Sequence, residues 1–166
     1  MRAWVCAGRS TGAVAVAALL VGCEQPAWLT DRDPLPALPT WSEPLMGRPI
    51  GQAFRLAPER ACIGNVEQVE HRYEGAPRPG VRITGWAWDA DGKVAPARIL
   101  VVGPDGRIAG AGATGRPRPD VNEARADITS PTTGWAALAP LRKGRVTVYG
   151  VLSDGARVCK LGRLKL

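Results

Sequence analysis

A single histidine, His71, and the lack of any Cys-x-x-Cys pair leave this chain without the donor spacing of a zinc site, so no metal is assigned. The groups that acid–base catalysis needs are equally scarce. No carboxylate pair recurs at a catalytic spacing and no second histidine is present, so an enzyme ranks last among the readings, with no catalytic residue and no cofactor assigned. Long apolar runs are missing too: Ala13–Val21 is far shorter than the roughly 20 residues a membrane-spanning helix needs. Lysine occurs only four times, and the net charge of +7 rests mainly on scattered arginine. Nucleic-acid surfaces require clustered charge, so no nucleic-acid partner is expected. One region is denser. Arg142, Lys143, Arg145, Arg157, Lys160, Arg163 and Lys165 face only Asp154 in the sequence, which gives a weak attraction for anionic headgroups or acidic polysaccharide.

What is plentiful is Gly and Pro, at 20 and 15 residues, too many for a helical protein. An all-β fold follows. In Val81–Trp88, Val81, Ile83, Gly85 and Ala87 share one pleat face, while Arg82, Thr84, Trp86 and Trp88 share the other. Ala97–Val102 is a β-branched run, Gly103-Pro104-Asp105-Gly106 is a turn, and Arg107–Ala113 follows, so these three segments are expected as an antiparallel meander. Asn65–Tyr73 is the candidate first, edge-like strand. Gly134–Leu138, Arg145–Leu152 and Arg157–Leu164 complete seven, the last two joined by Ser153-Asp154-Gly155. Asp120-Val121-Asn122-Glu123 fits a helix N-cap with an acid three residues on. Seven strands at this spacing suit an immunoglobulin-like antiparallel β-sandwich spanning residues 61–166.

Residues 1–22 read as a signal peptide, with Arg2 and Arg9 ahead of the apolar run and Gly22 before Cys23. Leu20-Val21-Gly22-Cys23 resembles the bacterial lipobox, which implies lipidation at Cys23 and a membrane partner through that lipid. Cleavage removes two arginines and no acid, taking the charge from +7 to +5. An acylated N-terminal cysteine exceeds the two-signal requirement for stable anchoring. The expected location is a bacterial membrane, with the domain facing the periplasm or the cell surface. Glu24 after the cysteine leans toward the outer membrane by resemblance to Gram-negative sorting. Residues 23–60 are rich in proline and show no periodicity, so they are expected as an extended linker that holds the domain off the bilayer. Trp28 and Trp41 lie in it.

Cys6 leaves with the signal and Cys23 is the lipid site, so Cys62 and Cys159 remain and a disulfide between them is the default in an oxidising compartment. A wider resemblance rests on Ala61–Glu67, on Gly85-Trp86-Ala87 within Val81–Trp88, on Ile108–Gly115 leading to Arg118-Pro119-Asp120-Val121, on Gly134-Trp135, and on Val148–Gly155 followed by Cys159. Together these resemble the soluble β-sandwich module found as a C-terminal tail on polytopic bacterial envelope proteins of glycosyltransferase type. More distantly, they resemble the Gly-Trp-Ala and Arg-Pro-Asp-Val repeats of secreted actinobacterial proteins. The family usually carries Phe where Trp135 stands. The resemblance implies a fold, and it brings no catalytic residues with it.

Three motif matches fail on context. Gly8–Gly12 satisfies G-x-S-x-G inside the signal peptide, where no strand-to-helix elbow forms. Gly110–Gly115 satisfies G-x-G-x-x-G but runs into Arg116-Pro117-Arg118-Pro119 rather than a helix. Asp89-Ala90-Asp91-Gly92 lacks the later ligands of a calcium loop and reads as a hairpin turn. Trp86 is expected in the core and Trp88 at an exposed rim. Trp88, Trp135, Arg118 and Asp120 are the candidate ligand or partner contacts. The leading reading is a lipid-anchored, non-catalytic envelope module that binds another envelope protein or supports an assembly. The alternative is a carbohydrate-binding module for envelope polysaccharide, with indole faces as stacking surfaces.

Overall fold

The computed structural model describes residues 33–75 and 77–166. The expected signal peptide 1–22, the lipidation site Cys23 and Trp28 lie outside the described residues. Among the described residues, no helix is long and apolar enough to cross a membrane.

The chain is all-β. Its strands are β1 (Arg55–Leu56), β2 (Cys62–Tyr73), β3 (Gly80–Asp89), β4 (Arg98–Val102), β5 (Ile108–Arg116), β6 (Gly134–Ala139), β7 (Arg145–Val151) and β8 (Arg157–Lys165). They form one sheet in the order β1-β8-β7-β4-β5-β6-β3-β2, antiparallel except for the short β1–β8 pairing. The seven strands read from the sequence are thus present, each within a few residues of its expected ends. The meander is not: β3 pairs with β2 and β6, whereas β4 pairs with β5 and β7. After Asp89 the chain turns back on the end of β3 through the Asp89↔Val94 bridge and then crosses to the other half of the sheet.

The sheet curls until its far strands meet. β2 and β8 are not hydrogen-bonded neighbours, yet Cys62 and Cys159 form a disulfide with Cα atoms 6.0 Å apart and a sequence separation of 97. Small residues allow this approach: a Cβ on Gly162 would lie 3.0 Å from Val66, and one on Gly64 would lie 2.8 Å from Leu161. Inside the curl sit Val81, Ile83, Ile99, Val101, Trp135 and Val148, all essentially without solvent contact. Trp135 fills the space beside Gly85, where a Cβ would approach its Cζ2 to 2.6 Å.

The outer faces are also covered, and here the linker expectation is overturned. Residues 33–58 are not an extended spacer but a strap laid across the sheet. Gly47 N–H donates to Ile108 O at 2.8 Å, Ile108 N–H donates back to Arg48 O at 2.9 Å, and Ala57 N–H donates to Val158 O at 2.8 Å. Trp41, Leu45, Met46, Ile50 and Phe54 pack on the outward side chains of Leu100, Val102, Ile108 and Val158. The prolines assist rather than prevent this. Pro39, Pro49 and Pro58, with φ of -56°, -58° and -55°, stand at the N-caps of the 3-10 turn Thr40–Leu45, the helix α1 (Ile50–Ala53) and the 3-10 turn Glu59–Ala61. A fixed φ and a missing N–H cost little at such a start.

A second cover lies over the end of β3. The helix α2 (Pro119–Ala124) and the segment after it place Val121 and Ile128 against Trp88, with Trp86, Ile63 and Ala95 alongside. The N-cap of α2 is Arg118, two residues before the expected Asp120, and it makes no side-chain cap bond.

Removing the strap uncovers Leu100, Val102, Ile108 and Val158 together, so residues 61–166 without it lack the cover of that cluster. A chain beginning at Glu59 is expected to lose cooperative urea unfolding or to unfold at a much lower midpoint, and Trp41→Ala in the full chain to lose about 2 kcal/mol. An unchanged midpoint in the shortened chain contradicts the strap's structural role.

Candidate functional site

The outward face of β2, β3 and β6 carries a lattice of charges over a floor of small residues. Glu67 and Glu70 project from β2, Arg82 from β3, Arg116 from the end of β5, and Arg118 and Asp120 from the start of α2. Arg116 Nη2 donates to Glu70 Oε1 at 2.7 Å, and Arg82 lies 3.6 Å from the other Glu70 oxygen. Arg118 grips Asp120 with two parallel bonds of 2.8 and 2.7 Å from Nε and Nη2, and its Nη1 donates to Glu67 at 2.8 Å. Between them lies an open groove of about 370 Å³, floored by Thr84, Gly85 and Gly134. The Arg116 guanidinium holds the Glu70 carboxyl below its usual range, and Arg118 does the same for Asp120.

Bidentate Arg–carboxylate geometry adds direction as well as charge. Arg118 is therefore the clasp that ties the α2 segment to the β2 edge. The two candidate contacts Arg118 and Asp120 are brought together, each already engaged with the other.

The indoles are elsewhere. Trp135 is fully buried in the central core and Trp88 is 3% exposed under Val121 and Ile128, so the exposed-rim expectation for Trp88 is corrected. Trp86, expected in the core, is the half-buried one. The pleat explains this. Trp86 and Trp88 both point outward from β3, and the α2 segment covers the second more completely than the first.

The sequence reading missed the carboxylate with the densest set of partners. Asp89 is 1% exposed, and its Oδ1 accepts the Asp91 and Gly92 amides at 3.1 and 2.8 Å while Oδ2 accepts the Ser153 amide at 2.9 Å. Burial acts to raise its pKa, but the three amide donors and the Ser153 hydroxyl outweigh burial and hold the carboxyl below the ordinary aspartate range. The signal was the Asp-x-Asp-Gly run, in which the first acid accepts the bonds of its own turn and of the distant β7–β8 turn. In that second turn, Asp154 accepts the Ala156 and Arg157 amides at 2.9 Å each and pairs with the Arg157 guanidinium, and its pKa falls to about 2. Among the described residues, no group of three or more His, Cys, Asp or Glu side chains is placed to hold a metal ion.

Comparison of the chain with protein-family models, with curated proteins and with solved structures gives no match.

Asp89→Ala is expected to destabilise the fold by about 3 kcal/mol and Asp89→Asn by about 2 kcal/mol, since the amide nitrogen of Asn faces a backbone donor whichever way it is turned. Because the folded pKa is depressed, the stabilisation is present above about pH 4 and is lost as pH falls through the folded value. Urea midpoints measured from pH 6 to pH 2 should therefore fall less steeply in Asp89→Asn than in the parent. Parallel curves contradict the assignment.

Proposed function

We propose that this chain is a lipid-anchored bacterial envelope protein whose folded part is a non-catalytic, immunoglobulin-type β-module serving as an interaction or structural unit. The observation that carries this reading is the Cys62–Cys159 disulfide, which persists in oxidising compartments and stands in the same chain as Leu20-Val21-Gly22-Cys23. The sheet order supports the fold type. Cut between β5 and β4, it gives the halves β2-β3-β6-β5 and β4-β7-β8, the strand arrangement of a constant-type immunoglobulin domain. Here the β4–β5 ladder runs the halves together into one curled sheet. The module of the envelope glycosyltransferase-type proteins is the relative this reading favours.

The carboxylates best placed for chemistry are occupied structurally: Glu67, Glu70 and Asp120 by arginines, Asp89 by backbone amides. That favours a binding surface over a reactive one. The partner is another envelope protein, met by the ion lattice on the β2-β3-β6 face. The polysaccharide alternative has less to rest on, because the flat faces of Trp88 and Trp135 are covered.

Intact-mass analysis of the detergent-extracted native protein is expected to show a chain beginning at an acylated Cys23, with Cys23→Ser remaining unprocessed or leaving the membrane. A photo-crosslinker at Gln68, beside the groove, is expected to give one discrete protein adduct in cells. An unacylated native chain refutes the anchor, and glycan-array binding without a protein adduct refutes the choice of partner.

A further inference from the structure

We infer that the end of the sheet where the strap enters is a contact surface for anionic lipid headgroups, an inference that rests on the lipid-anchor reading. The strand register brings the β2–β3 turn, the β6–β7 turn and the end of β8 to this one end. Tyr73 pairs with Gly80, Val81 with Ala139 and Arg145 with Lys165, and Arg72 Nη1 donates to the backbone oxygen of Arg142 at 3.4 Å.

Arg142, Lys143, Arg145, Arg163 and Lys165 gather there, and none has an ion-pair partner among the described residues. Arg145 stands directly opposite Lys165, with Arg163 opposite Thr147 two pairs on, and like charges placed across a ladder oppose folding. The acids at this end, Asp33, Glu74 and Asp105, are outnumbered. At the other end of β8 the cations are neutralised: Arg157 meets Asp154 at 2.5 Å and Asp91 at 3.6 Å, and Lys160 meets Glu59 at 3.6 Å. The concentration of basic residues read from the sequence thus divides into a paired part and an unpaired part.

The direction of the tether selects the occupant. Leu35 N–H donates to Arg78 O at 2.6 Å and Gly75 N–H to Asp33 O at 3.3 Å, so the chain leaves the domain beside the β2–β3 turn, on the basic end. From Asp33 back to Cys23 is a reach of at most about 35 Å when fully extended. An anchor on so short a lead holds the basic end toward the bilayer. Cations within a Debye length, about 8 Å, of an anionic leaflet each strengthen association by about five-fold.

The test uses the mature Cys23→Ser chain, residues 23–166, co-sedimented with vesicles of phosphatidylcholine alone or with about one-third phosphatidylglycerol. Expected are binding to the anionic vesicles only, its loss in high salt, and a fall of about 10- to 30-fold in Arg145→Glu, which reverses one charge. That variant faces Lys165 and so should melt no lower than the parent, which separates lost binding from lost folding. Arg60→Glu, at the far end before β2, should bind as the parent does. Equal binding to both vesicle types, binding only to an acidic polysaccharide such as alginate, or an unchanged Arg145→Glu overturns the inference. Acylation of the native chain, read separately by mass, reports on the anchor alone, so either reading can fail without the other.

Discussion

The constraint on which this fold depends is the seam where β2 comes round to face β8. Two strands meeting without a shared hydrogen-bond ladder leave main-chain groups on both edges, and exposed edges invite pairing with other chains. Three devices manage the seam. Gly64 and Gly162 let side chains from the opposite strand settle against the backbone, the Cys62–Cys159 bond fixes the separation, and β1 covers the start of β8 through Arg55↔Arg157 and Leu56↔Val158. Further along β8, Lys160, Arg163 and Lys165 alternate with inward residues, a charged edge that resists strand addition.

Curling the sheet buries its inner face but leaves apolar residues outside. Leu100, Val102 and Val158 look outward from one half, and Trp88 from the other. The strap and the α2 segment are the two answers, so the domain has a central core flanked by two smaller ones. Asp89 couples the β3–β4 crossing to the β7–β8 turn, and Arg118 couples the α2 segment to β2. Each polar knot stands where chain crosses between parts of the sheet and no ladder is available to hold it.

The strands were legible because period-two alternation and Asp-Gly turns are local signals, and so was the disulfide, by elimination among four cysteines. The pairing of β4 with β7 was not. A continuous run through Asp91-Gly92 looks like a hairpin, and nothing within it reveals that Asp89 accepts a bond from Ser153. Pleat alternation put Trp86 and Trp88 on one face but did not say which would be covered, since the cover comes from residues more than 30 positions on. The strap was misread for a related reason. Its prolines dominate the composition, while Trp41, Leu45, Met46, Ile50 and Phe54 become a stripe only after Pro39 and Pro49 launch their short helical turns.

If the seam governs stability, the disulfide's contribution should be large. For a loop of this length, the chain-entropy account gives about 4–5 kcal/mol. The most direct measurement is the thermal midpoint of the oxidised protein against the same protein reduced and alkylated at Cys62 and Cys159. The account predicts a cooperative transition in the oxidised form and a midpoint about 10–20 °C lower, or loss of the transition, in the reduced form. Coincident transitions contradict it, since β2 and β8 would then be held together without the covalent bond.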